Sequence, residues 1–160
     1  MKILKIQALR GPNIWSVQRK KLIQMRLDLE EMEQFPTNKI EGFRERIEAM
    51  FPTMIEHRCS EGCRGGFFSR VERGTWMGHV IEHIALEIQT LAGMETGFGR
   101  TRETKTPGVY NVVFSYTEEN VGLFAAESAV AIAESLIAGT EYDVEADIQK
   151  MREIRECVRL

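Results

Sequence analysis

Lys21-Leu22-Ile23-Gln24-Met25-Arg26-Leu27-Asp28-Leu29 alternates with a period of two. Lys21, Ile23, Met25, Leu27 and Leu29 share one parity and are nearly all apolar; Leu22, Gln24, Arg26 and Asp28 share the other. Successive side chains of a strand point to opposite faces, so the pattern predicts a strand whose odd face is buried. Residues 3–9 alternate well enough for a first strand, followed by a turn at Arg10-Gly11-Pro12-Asn13. A further strand is expected over residues 109–116. With the best two strands far apart in sequence and helices between them, the chain predicts an α+β fold. Its mostly antiparallel sheet of three to four strands packs against two long helices plus shorter helices.

The helices follow from apolar spacing and from their ends. Residues 42–51 place Phe43, Ile47 and Met50-Phe51 on one side and meet Pro52, a short amphipathic helix. Residues 76–92 form a long helix, with Thr75 as its cap and Gly93 just past its end. Residues 118–138 are alanine-rich, open with Glu118 and Glu119, and stop at Gly139; the alanines allow a close helix approach. A charged helix is expected over 142–158. Residues 34–38 (with Pro36), 59–66 (three glycines) and 97–108 are expected as loops, the last holding Arg100, Arg102 and Glu103.

The chain has 160 residues, which is one domain, 1–160, with room for a sizeable core. It is 43% hydrophobic and 28% charged, with a net charge of -3. Nucleic-acid binding wants a basic stripe, and none is expected here. No apolar run reaches the roughly 18 residues of a membrane span. The N-terminus lacks the apolar centre of a signal peptide, and three cysteines make an odd number for a disulfide framework. These features predict a cytoplasmic protein without membrane or nucleic-acid partners. Phosphate-cradling and serine-elbow motifs (G-x-x-x-x-G-K-[ST], G-x-G-x-x-G, G-x-S-x-G) are missing, so the residues give no sign of ATP, dinucleotide or serine chemistry.

The chemistry lies in His79-Val80-Ile81-Glu82-His83. On a helix the two histidines are four residues apart, about 6 Å along the axis and nearly in line. Two imidazoles so placed grip one divalent metal from one side, and Glu82 is placed to take a proton from a water there. This is the H-x-x-E-H pattern of an inverted zinc peptidase. Zinc needs a third protein ligand. Glu119 is preferred and Glu127 is the alternative, both on a separate later helix; Glu87, a full turn beyond the pair, is expected to orient a ligand from behind. The blander reading is a solvated His/Glu face, but the pair interrupts a Val/Ile stripe, and burying unpartnered imidazoles costs free energy.

A rival cluster, His57-Arg58-Cys59 with Cys63, offers three ligands where a structural zinc site wants four, and a loop with a buried cysteine is the plainer reading. Cys157 has no partner in view. Arg100, Arg102 and Glu103 either recognise charged substrate groups or form a solvated loop. Arg64-Gly65-Gly66-Phe67 is a second contact loop in the same sense. For Trp15 and Trp76 a core role is preferred over a groove role.

Several stretches closely resemble the N-terminal domain of cyanophycin synthetase: Met1–Lys5, Leu9–Ser16, Met25–Glu30, Gly78–Gln89, Gly97–Thr104 and Pro107–Val113. The resemblance runs from residue 1 to about 138. It implies a module of an enzyme that makes cyanophycin, a poly-aspartate with an arginine joined to each side chain. The ATP-grasp and Mur-ligase-like modules, with their ATP and Mg2+, would lie outside these 160 residues, and the full enzyme would be a homo-oligomer. The module would hold the polymer and, with H-x-x-E-H present, cut it into primers by zinc-assisted amide hydrolysis. His79 and His83 would then be metal ligands and Glu82 the general base, with Arg100, Arg102 and Glu103 contacting the polymer. The alternative is a polymer-holding module in which the motif is vestigial.

Overall fold

The computed structural model describes residues 1–16 and 20–159. Four strands, β1 (Lys2–Leu9), β2 (Leu22–Asp28), β3 (Gly99–Glu103) and β4 (Val109–Ser115), form one sheet in the order β1-β2-β4-β3. Every pairing is antiparallel. Among the described residues five α-helices accompany them: α1 (Phe43–Met50), α2 (Gly66–Arg73), α3 (Met77–Leu91), α4 (Glu119–Ala138) and α5 (Val144–Arg159).

The alternation in β2 does what its pattern dictates. Ile23, Met25, Leu27 and Leu29 are fully buried with Val112 and Phe114 of β4, beneath α3 and α4. Leu22 is also buried, on the other face, where Trp15 and Val113 pack with it. The rest of that face is polar: Gln7 donates to Gln24 at 3.0 Å, and Gln24 donates to Asn111 at 3.2 Å.

The long helices lie close because small residues line the contacts. Ala125, Ala126, Ala129 and Ala133 of α4 are fully buried. Gly122 presses α4 onto the sheet: a Cβ there would come within 2.9 Å of Ile23 and 2.8 Å of Tyr116. Gly78 does the same for α3, where a Cβ would meet Thr101 at 3.1 Å and Tyr110 at 3.3 Å. α4 is long and apolar enough to cross a membrane by length and composition, contrary to the expectation that no run was, but 61% of its apolar window is buried in this core.

Four sequence expectations are corrected. Residues 97–108 are not one loop, because β3 pairs along β4 from Gly99 to Glu103. The segment after the glycine-rich turn holds α2, whose Phe67, Phe68 and Val71 are buried. Thr75 does not cap α3; its hydroxyl lies 3.0 Å from Nδ1 of His79 instead. Residues 34–38, expected as a loop around Pro36, overlap two short 3-10 turns, Glu30–Gln34 and Thr37–Lys39.

Candidate functional site

α3 projects its functional side chains in two directions. His79 and His83 turn toward the short 3-10 turn at Cys59–Glu61 and toward α2, where Phe67 packs on His83 with ring centroids 4.3 Å apart. Glu82 turns toward β3. All three line one cavity with Cys59, Trp76, Glu87, Gly99, Arg100 and Thr101.

His79 Nε2 and His83 Nε2 approach to 3.1 Å, and Cys59 Sγ lies 3.2 Å from His79 Nε2. Donor atoms of Cys59, His79 and His83 all fall within 4.8 Å of one another. Two imidazoles and a thiol are a donor set suited to zinc, and three protein ligands leave one position open. The turn that delivers the thiol puts Cys59 at φ +53°, a left-handed conformation that a non-glycine residue adopts at a cost of about 1 kcal/mol.

The back of this cluster is built. Nδ1 of His83 faces Nδ1 of His57 at 2.9 Å, and Nε2 of His57 lies 2.7 Å from Oε2 of Glu87. The Thr53 hydroxyl donates to the other oxygen of Glu87. With Nε2 of His83 turned to the cluster, its Nδ1 carries the proton and donates to His57, whose Nε2–H donates to Glu87. Burial would raise the Glu87 pKa, but the hydrogen bonds from His57 and Thr53 hold it below the ordinary carboxylate value.

Burial dominates the protonation of the other groups. It pushes His79 down to about 4, helped by the nearby charge of Arg70. Burial, with His79 and His57 alongside, also holds His83 well below the ordinary histidine value. Both imidazoles are therefore neutral, the form that binds a metal. Burial pushes Glu82 up to about 7, against the opposing effects of the Thr101 hydrogen bond and the Arg100 charge. Oε2 of Glu82 accepts from the Thr101 hydroxyl at 2.6 Å. Oε1 lies where a Cβ at Gly99 would be, 2.2 Å from that point.

The structure separates the expected third ligands from this cluster. Glu119 binds Arg10, with Arg10 Nε donating at 3.0 Å, in a different hollow lined by Lys21 and Tyr116. Glu127 is exposed on α4. Cys59 brings the thiol to the histidines instead, from an earlier turn rather than a later helix. Glu87 stands behind His83, with His57 between them. The rival His57/Cys59 grouping thus merges with the α3 pair, while Cys63 is exposed and outside it.

Arg100 edges the cavity. Arg102 and Glu103 lie further along β3, and Glu103 accepts from the Gly108 amide at 3.2 Å. Trp15 is buried in the core, whereas Trp76 is 39% exposed and faces the cavity rather than the core. No local signal in the sequence links Cys59 to His79, since they are twenty residues apart in different elements.

The model of the cyanophycin synthase-like N-terminal domain matches residues 24–138. The chain is 52% identical over 157 residues to cyanophycin synthetase of Synechocystis sp. (strain ATCC 27184 / PCC 6803 / Kazusa), covering 96% of this chain and 18% of that protein. It is 53% identical over 156 residues to cyanophycin synthetase of Geminocystis herdmanii (strain PCC 6308), covering 98% of this chain and 18% of that protein. A third relative, cyanophycin synthetase of Trichormus variabilis (strain ATCC 29413 / PCC 7937), is 52% identical over 157 residues, covering 96% of this chain and 17% of its own. The chain thus spans under a fifth of the length of these relatives. The chain belongs to the cyanophycin synthase-like N-terminal domain family.

Proposed function

We propose that this chain cuts cyanophycin by amide hydrolysis at the cavity between α3 and β3, making short chains that prime synthesis by ATP-dependent modules of a longer, homo-oligomeric synthetase. The observation that supports this reading is the convergence of Cys59, His79 and His83 beside a buried carboxyl, Glu82. The cluster fits Zn2+, which when bound supplies Lewis acidity to a carbonyl and acidifies a water toward pH 7.

The protein groups do the rest. Cys59, His79 and His83 hold the ion, and the His57–Glu87 pair fixes the ring of His83. Glu82, as carboxylate, accepts a proton from the attacking water and delivers it to the departing amine. Burial alone pushes its pKa up to about 7, and a cation held beside it would favour the carboxylate that accepts the proton. Thr101 holds Oε2 and leaves Oε1 for the proton. Arg100 and Arg102 meet carboxylates of the polymer, and Glu103 meets its guanidinium groups.

A second reading has support of its own. Lys5, Arg26, Arg100 and Arg102 are exposed and, by strand register, share the face of the sheet opposite the helices. Such a face suits a module that holds the polymer by its carboxylates without cutting it.

The deciding experiment incubates cyanophycin with zinc-loaded wild type and Glu82→Gln. Wild type shortens the chains and Glu82→Gln, still folded and metal-bound, does not. Equal fragment production by the two proteins sinks the catalytic role of Glu82. Polymer binding without any shortening by wild type favours the holding module.

A further inference from the structure

β3 is an edge strand, since β1-β2-β4-β3 leaves one of its long sides without a neighbouring strand. Its pairing with β4 fixes which main-chain groups are used. Ser115 N donates to Phe98 O at 2.8 Å, and Thr104 N donates to Val109 O at 2.8 Å. Arg100 and Arg102, opposite Val113 and Asn111, have the same parity and bond with β4. The N–H and C=O groups of Gly99, Thr101 and Glu103 turn the other way, and among the described residues they have no main-chain partner. An open row of this kind is a template for another extended chain.

The open edge belongs to the cavity that holds the metal-binding cluster. Gly97, Gly99 and Thr101 line that cavity together with His79, Glu82 and His83, and it encloses about 1010 Å³, at the upper end of ligand clefts. The strand also touches the base directly: Thr101 donates to Glu82, and Gly99 leaves room for the carboxyl by having no side chain. Any chain aligned on β3 is therefore held in register with Glu82. Arg100 and Arg102, exposed on the same strand, discourage an apolar strand from pairing there and favour one that carries carboxylates.

We propose that an extended, carboxylate-bearing polyamide binds as an added strand along β3. It exchanges main-chain hydrogen bonds with Gly99, Thr101 and Glu103, which carries its scissile amide to Glu82 and the Cys59/His79/His83 cluster. This rests on the hydrolytic reading. Specificity for the chain direction and spacing then comes from main-chain pairing, and specificity for charge comes from the arginines.

The test is amide hydrogen exchange, read residue by residue, on the zinc-loaded Glu82→Gln chain with and without a short cyanophycin segment as probe. The amides of Arg100 and Arg102 are protected in both states. Those of Gly99, Thr101 and Glu103 exchange fast alone and slow by about tenfold or more when the probe is bound. Thr101→Pro removes one outward N–H at a position where an edge strand tolerates proline, with Thr101→Val controlling for the lost hydroxyl. Thr101→Pro raises KM for probe cleavage about tenfold over Thr101→Val. If wild type cuts the probe while the three amides exchange unchanged, strand addition is wrong and the hydrolytic reading stands. If wild type neither binds nor cuts the probe, both fall.

Discussion

His57 and His83 meet through their Nδ1 atoms at 2.9 Å, which makes the imidazole of one the orienting partner of the other. Glu87 terminates this chain of hydrogen bonds, 2.7 Å from the far nitrogen of His57. Removing Glu87 frees His57 to turn and leaves His83 without a fixed tautomer. Glu87→Ala therefore weakens Zn2+ binding about 10–100-fold, with Glu87→Gln intermediate. Competition with a chromophoric chelator measures this, and an unchanged affinity in Glu87→Ala would show the chain to be idle.

Cys59→Ala removes a ligand rather than its support. Its Zn2+ affinity falls by more than about 100-fold, beyond the loss expected from an orienting residue. Glu119→Gln, whose carboxyl serves Arg10 on another part of the surface, leaves the affinity as in wild type. The same chelator titration decides between them: a larger loss in Glu119→Gln than in Cys59→Ala contradicts the thiol assignment.

Stability of the metal-free protein carries a signature of Glu82. Its pKa rises from 4.5 to about 7 on burial, so between those values the native state keeps a proton that the unfolded chain has lost. That contribution is complete below pH 4.5 and disappears as pH rises through 7, on the order of 3 kcal/mol in all. His79 works in the opposite sense, because its pKa falls from 6.5 to about 4, and stability is lost as pH drops through that range. Denaturant midpoints of wild type and Glu82→Gln, compared between pH 4.5 and 8, isolate the first effect. The variant gains on wild type as pH rises; parallel curves refute the raised pKa.

Gly122→Ala tests the packing of α4 on the sheet. The added methyl meets the side chains of Ile23 and Tyr116 inside 3.0 Å, at atoms close to their backbones. The expected cost is about 1–3 kcal/mol, seen as a lower denaturation midpoint with an unchanged slope. An unaltered midpoint would mean that the helix shifts freely.

Much of this fold was legible because period and punctuation agree in the strongest elements. β2 alternates cleanly, and α3 and α4 each end at a glycine. β3 was illegible because Gly99-Arg100-Thr101-Arg102-Glu103 has no apolar face; pairing with β4 makes it a strand. α2 follows a run of glycines, and its pair of phenylalanines and Val71 is too short a pattern to stand out from the loop. At the site, the spacing of His79, Glu82 and His83 alone places the three on one helix. The partners of that helix come from tertiary contact. Cys59 reaches His79 through a left-handed turn, and His57 stands between His83 and Glu87 by the packing of α2 and its preceding turns. A place at a helix start suggests Glu119 as a ligand, but that first turn lies beside Arg10, which binds its carboxyl.

The left-handed backbone at Cys59 leaves the thiol on a short, half-exposed arm, while the two imidazoles sit on a helix buried in the core. The three groups that would hold an ion therefore rest on different footings, two on one helix and one on a short turn. A cation held there would tie the turn at Cys59–Glu61 to α3, and so join two walls of the cavity.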